Sequence, residues 1–146
     1  MPAGGVGKAY VSIMATVVHV VDDDESFRNS IARLLRVVGY EVVLYKTAQH
    51  LLEQLPDDGH PGCILLDVLM PGLSGPGLQS RLNELGSTLP IVFLTGSSEA
   101  VEAEDFLIKP VPKGKLIDAI ERAVRRHLAL QEQISREADG HLIRAA

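Results

Sequence analysis

Ile64-Leu65-Leu66-Asp67-Val68-Leu69-Met70-Pro71-Gly72-Leu73-Ser74-Gly75 decides how the rest of the chain is read. An unbroken apolar run delivers one carboxylate, and a turn rich in Pro and Gly follows almost at once. A short apolar run closed by turn residues reads as a buried strand. Its last residue then stands at the carboxyl rim of a sheet. In open parallel α/β sheets that rim is where ligands bind. Asp67 is thus placed where chemistry occurs, and the residues that accompany it decide which chemistry.

Three further stretches supply them. Val17-Val18-His19-Val20-Val21 runs into Asp22-Asp23-Asp24-Glu25, again an apolar strand ending in acids. Ile91-Val92-Phe93-Leu94 ends in Thr95-Gly96, and Phe106-Leu107-Ile108 ends in Lys109-Pro110. If the strands are parallel neighbours, Asp22, Asp23, Asp67, Thr95 and Lys109 converge on one edge. An oxygen-rich cluster of this kind suits Mg²⁺, a hard cation that keeps several waters and takes one or two carboxylates. A hydroxyl and an ammonium opposite the carboxylate suit a transferred phosphoryl group, whose equatorial oxygens need charge compensation.

The Asp22-Asp23 pair, Asp67-x-x-Met70-Pro71-x-x-Ser74-Gly75, Thr95-Gly96 and Phe106-x-x-Lys109-Pro110 together resemble the receiver domain of two-component response regulators. Each signal alone is common; their occurrence in the family's order from Thr16 to Leu128 is specific. The resemblance implies a flavodoxin-like, doubly wound, five-stranded parallel sheet of order 2-1-3-4-5. It implies that Asp67 is the phosphorylated nucleophile, and that Mg²⁺ is held by Asp22, Asp23, Asp67 and the backbone carbonyl of Leu69. Lys109 would bridge to Asp67 and then to the phosphoryl oxygens, Thr95 would donate its hydroxyl to them, and Phe106 would take the place of the mobile aromatic of the switch. Each residue also has a plainer reading. Asp67 could cap the following turn. The acids after β-strand one could offset a helix dipole for about 0.3–1 kcal/mol each. Phe106 could be core, and a lysine before a proline is commonly a surface residue. The joint occurrence favours the phosphoryl site, with Asp24 and Glu25 left to the helix start.

Strands and helices alternate along the chain, which predicts a parallel sheet with right-handed crossovers. Thr16–Val21, Tyr40–Tyr45, Cys63–Asp67, Pro90–Leu94 and Glu104–Ile108 read as the strands. Asp24 or Ser26 caps a first helix whose stripe is Phe27, Ile31, Leu34, Leu35 and Val38, and Gly39 ends it. Thr47 caps a short second helix carrying Leu51, Leu52 and Leu55. The third carries Leu78, Leu82 and Leu85 and ends at Gly86; the last starts near Pro112 with Leu116, Ile117, Ile120, Val124, Leu128 and Leu130 as its buried stripe. His19 reads as a packed core or rim histidine. Three regions follow: a leader at 1–15, with Met14 an equally good start, a receiver domain at 16–130, and a tail or helix extension at 131–146.

Composition limits the alternatives. A chain of 146 residues has the size of one domain with tails, and 46% hydrophobic with 23% charged residues is ordinary for a globular protein. The net charge of −5 argues against nucleic-acid binding by this chain alone. The single cysteine, Cys63, cannot form an internal disulfide and reads as a small buried apolar residue, which fits a cytoplasmic protein. No apolar run is long enough to span a membrane, and the first fifteen residues lack the basic start and apolar core of a signal peptide.

One connection departs from the family pattern. Between Thr95 and Lys109 the family fits a complete fourth helix; here only Gly96 to Ala103 precedes the fifth strand, less than the roughly 10–12 residues a helical crossover needs. The family's fourth helix is therefore expected to be absent or a single turn. That exposes apolar area of the fifth strand and last helix and predicts a homodimer built on Phe106 to Leu128, with exchange of that segment as one route and Ile117, Ile120, Val124 and Leu128 as the contact surface. The expected function is a phospho-accepting switch, with no enzymatic activity beyond self-phosphorylation from a phosphodonor and slow autodephosphorylation. A histidine kinase would be its partner, with a phosphotransfer protein in a phosphorelay. Two alternatives stand beside it: the receiver half of a DNA-binding transcriptional regulator, with 122–127 as linker helix, and a receiver-fold module that works without phosphorylation. A hydrolase using an aspartyl-phosphate intermediate would want an acid two residues after Asp67, where Leu69 stands.

Overall fold

The computed structural model describes residues 16–54, 60–68, 75–95 and 106–145. Five strands form one parallel sheet of order β2-β1-β3-β4-β5: β1 Val17–Val21, β2 Glu41–Tyr45, β3 Gly62–Asp67, β4 Ile91–Thr95 and β5 Phe106–Ile108. Between and after them run α1 Glu25–Val38, α2 Ala48–Glu53, α3 Gly75–Glu84 and α4 Lys113–Ala145. This is the predicted doubly wound, flavodoxin-like architecture. The central strand β3 is buried on both faces, as its unbroken apolar run requires, whereas the edge strand β2 alternates.

The sheet separates two cores. On one side Val18, Val20, Cys63, Leu65, Val92 and Leu94 pack against Ile31 and Leu35 of α1 and Leu116, Ile120 and Ala123 of α4. On the other, Val21, Tyr45, Ile64, Leu66 and Ile91 pack against Leu51 of α2 and Leu78 and Leu82 of α3. Local signals mark the helix ends as the sequence suggests. Asp24 caps α1 by accepting from the Phe27 N–H at 3.2 Å, Gly39 closes it at φ 117°, and Thr47 caps α2 through the His50 N–H at 3.0 Å.

Three of the expected stripes end differently, and in α1 the difference is Val38, which is 36% exposed. Leu85, just past the end of α3, is 46% exposed. In α4, Leu128 and Leu130 are exposed and His127 is fully buried in their stead. Ile120 and Val124 are spent in the core of their own chain, so they cannot form the contact surface expected of a dimer. The leader, the Leu69 carbonyl, the segment from Gly96 to Ala103 and the Phe106 side chain lie outside the described residues. Among the described residues no helix is long and apolar enough to cross a membrane.

Candidate functional site

The strand order reverses between β1 and β3, and there the carboxyl ends of two neighbouring strands open a crevice. Register pairs Val21 with Leu66, so Asp22 follows β1 directly beside Asp67, the last residue of β3. Each of Asp22, Asp23 and Asp67 offers a carboxylate oxygen, and these oxygens lie within 4.8 Å of one another. Asp22 is fully buried, Asp23 is exposed and Asp67 lies between. On the next strands, Asp67 pairs with Leu94, and Thr95, buried, pairs with Ile108. The Lys109 N–H donates to the Thr95 carbonyl at 2.7 Å, which carries Lys109 to the same rim.

The Lys109 ammonium closes the cluster. It donates to Asp22 Oδ2 at 2.9 Å and to Asp67 Oδ2 at 3.3 Å. Burial alone would lower its pKa, but the hydrogen bond and charge of Asp22, with those of Asp67, outweigh that and raise it above the ordinary lysine value. The lysine therefore stays charged at neutral pH. The Lys109-Pro110 peptide is cis. Other bonds hold Asp22 in place. Its Oδ1 accepts from the Asp24 N–H at 2.9 Å, and its carbonyl accepts from Arg28 Nη1 at 2.7 Å. The buried Arg28 escaped the sequence reading, although it lies on the inward face of α1 with Ile31 and Leu35.

Five of the residues singled out in the sequence, Asp22, Asp23, Asp67, Thr95 and Lys109, thus meet on one rim. Three carboxylates against the Lys109 ammonium leave negative charge to be compensated, and all the donors are hard oxygens. That set fits Mg²⁺ rather than a metal that prefers nitrogen or sulfur.

A five-stranded parallel sheet of this order with such an acid, hydroxyl and lysine rim has the architecture of a receiver domain. The chain belongs to the response regulator receiver domain family, whose model matches residues 18–121. It is 40% identical over 118 residues to Nodulation protein W of Bradyrhizobium diazoefficiens, covering 75% of this chain and 52% of that protein. To the Tetrathionate response regulatory protein TtrR of Salmonella typhimurium it is 42% identical over 119 residues, 76% of this chain and 57% of that one. The crystal structure of FixJ-N superposes with a TM-score of 0.67 at 33% identity, covering 75% of this chain and 94% of that one. The chain spans about half the length of the curated relatives it matches. Receiver domains as a family bind Mg²⁺ in an acidic pocket and interact with histidine kinases.

Proposed function

We propose that this chain is the phospho-accepting receiver of a two-component system and that Asp67 takes its phosphoryl group from the phosphohistidine of a histidine kinase. The observation that carries the reading is the Lys109 ammonium bridging Asp22 and Asp67 at 2.9 and 3.3 Å. An Asp67 carboxylate oxygen attacks phosphorus, a P–O bond forms as the P–N bond breaks, and the electron pair leaves with the imidazole. Lys109 moves from the carboxylate to a phosphoryl oxygen, and Thr95 donates its hydroxyl to another. Asp22, Asp23 and Asp67, with the Leu69 carbonyl, would hold Mg²⁺, which supplies charge compensation to the equatorial oxygens. Phe106 follows Thr95 in the switch, and slow loss of the phosphoryl group to water resets it. The chain is not otherwise an enzyme. It works in the cytoplasm, without membrane or nucleic-acid contact of its own, as a homodimer and with a phosphotransfer protein where a relay is built.

Incubation with acetyl phosphate and Mg²⁺ followed by intact mass tests the reading. One phosphoryl group should appear on the wild type and none on Asp67→Asn; full labelling of that variant would move the acceptor elsewhere. A second reading, the receiver half of a transcriptional regulator, is favoured by relatives such as Transcriptional regulatory protein FixJ of Bradyrhizobium diazoefficiens, of which the chain covers 57% at 39% identity. It alters the output and leaves the chemistry of the rim unchanged. A module that works without phosphorylation would keep partner binding in Asp67→Asn, which separates it from both.

A further inference from the structure

Phe27 stands in the first turn of α1 and packs its half-buried ring against the core shared by α1 and α4. The Lys109 Nζ lies 4.0 Å from the centroid of that ring, within the roughly 6 Å over which an aromatic face attracts a cation. The contact belongs to a closed circuit. Asp22 Oδ1 accepts from the Asp24 N–H, Asp24 Oδ1 accepts from the Phe27 N–H, the Phe27 ring faces Lys109, and Lys109 returns to Asp22 Oδ2. The N-terminal cap of α1 therefore fixes where the ring stands relative to the acids.

We propose that Phe27 is a positioning residue for phosphoryl acceptance, its ring face holding the Lys109 ammonium between Asp22 and Asp67. This rests on the reading of Asp67 as phosphoryl acceptor. A lysine stem has four rotatable bonds and much rotamer entropy to lose, so two hydrogen bonds to carboxylates leave its approach poorly defined. The ring restricts the ammonium from a side on which it offers no lone pair. It attracts the charge without competing as a hydrogen-bond acceptor, so the donors stay on the oxygens. When the phosphoryl group arrives, the ammonium can pass from Asp67 to a phosphoryl oxygen while its contact with the ring is kept. An aliphatic side chain of similar size would preserve the packing of α1 and lose this restraint.

The test compares wild type, Phe27→Leu and Phe27→Tyr, each as the full chain, by two independent readouts. The first is the ¹H–¹³C spectrum of the lysine ε-methylene groups, recorded without phosphodonor. In the wild type and in Phe27→Tyr one ε-methylene, assigned through Lys109→Arg, should be displaced upfield by the ring current. In Phe27→Leu it should return to the position of the other lysines. The second readout is the rate of phosphorylation by acetyl phosphate at saturating Mg²⁺. That rate should fall roughly three- to tenfold in Phe27→Leu and recover in Phe27→Tyr, because without the ring the lysine stem has to be ordered during the transfer rather than before it. Mg²⁺ affinity should be equal in all three. An unshifted Lys109 signal in the wild type, or wild-type rates in Phe27→Leu, would overturn the proposal. A wild type that takes no phosphoryl group while keeping the shifted signal would refute the acceptor reading and with it the role in acceptance, while the spectrum still shows the ring contact.

Discussion

At the scale of single residues, the rim and the buried histidines behave differently. Asp23 is the exposed member of the acid cluster, so its removal perturbs the fold least. Asp23→Asn should weaken Mg²⁺ binding at least tenfold in a calorimetric or spectroscopic titration while leaving the thermal midpoint nearly unchanged; equal binding by both proteins would place the cation elsewhere. His19 answers to pH instead. It lies buried on β1, with Nδ1 at 3.1 Å from the Tyr45 hydroxyl, and burial together with the nearby His127 lowers its pKa from 6.5 to about 4. The unfolded chain therefore binds this proton well above the pH at which the folded chain does. Stability falls as pH drops from about 6.5 towards 4, and is fully recovered above that window. Between pH 7 and pH 5 this one group costs about 2 kcal/mol. Urea denaturation of wild type and His19→Leu should show that difference: the variant loses about that much less on acidification, whatever its stability at pH 7. Parallel curves for the two proteins would show that His19 does not titrate in this range.

At the scale of elements, the join between β3 and α4 fixes where the sheet ends. The Gly62 N–H donates to His127 Nδ1 at 3.1 Å, and His127 is wholly buried. A Cβ on Gly62 would stand 2.3 Å from the Val17 carbonyl oxygen, so β1 and β3 pair at this register only with glycine there. Gly62→Ala should destabilise the domain by about 1–3 kcal/mol through the strain of separating the strands. His127→Leu should cost a similar roughly 1–3 kcal/mol by leaving a buried N–H unpaired. Denaturant midpoints decide both, and an unchanged midpoint in His127→Leu would mean that water replaces the imidazole. Much of the architecture was legible because its signals are local. Apolar runs ending in acids, caps at Asp24 and Thr47, and a left-handed glycine at Gly39 each depend on a few neighbouring residues. The rim of the site was legible for the same reason, since each of its residues ends a strand. His127 was passed over because a stripe chosen by hydrophobicity selects Leu128. Yet spacing places His127 four residues after Ala123 and seven after Ile120, on the buried face. Its partner is a backbone N–H on a distant strand, which no local pattern announces. The ring contact of Phe27 with Lys109 escaped the sequence reading for the same reason: the two meet only through the fold.

At the scale of the whole molecule, α4 is the element that outgrows the domain. Leu116, Ile120, Ala123 and His127 face the sheet at alternating steps of four and three residues, and Leu130 and Ile134 continue that stripe. The first four are buried; Leu130 and Ile134 are 43% and 47% exposed. A homodimer joined along this extension would cover Leu130 and Ile134 from both copies. Completing the burial of a half-exposed aliphatic side chain gains about 1 kcal/mol, so the four together supply about 4 kcal/mol. That is only the low end of what association costs, and it corresponds to a dissociation constant near ~1 mM even before that cost is charged. The helix contact alone therefore cannot hold a dimer at micromolar concentration. A dimer of that strength must also cover other apolar surface, and Leu128 on α4 and Ile108 on the edge strand β5, 41% and 42% exposed, are the candidates in the segment from which association was expected. Light scattering across a concentration series should show a dimer that Ile134→Glu weakens, Ile108→Glu weakens further, and the two together abolish. A wild type that stays monomeric at tens of micromolar, with and without acetyl phosphate, would exclude the homodimer. Loss of the dimer in Ile134→Glu alone would place the whole contact on α4 and show that the area argument underestimates what its extension buries.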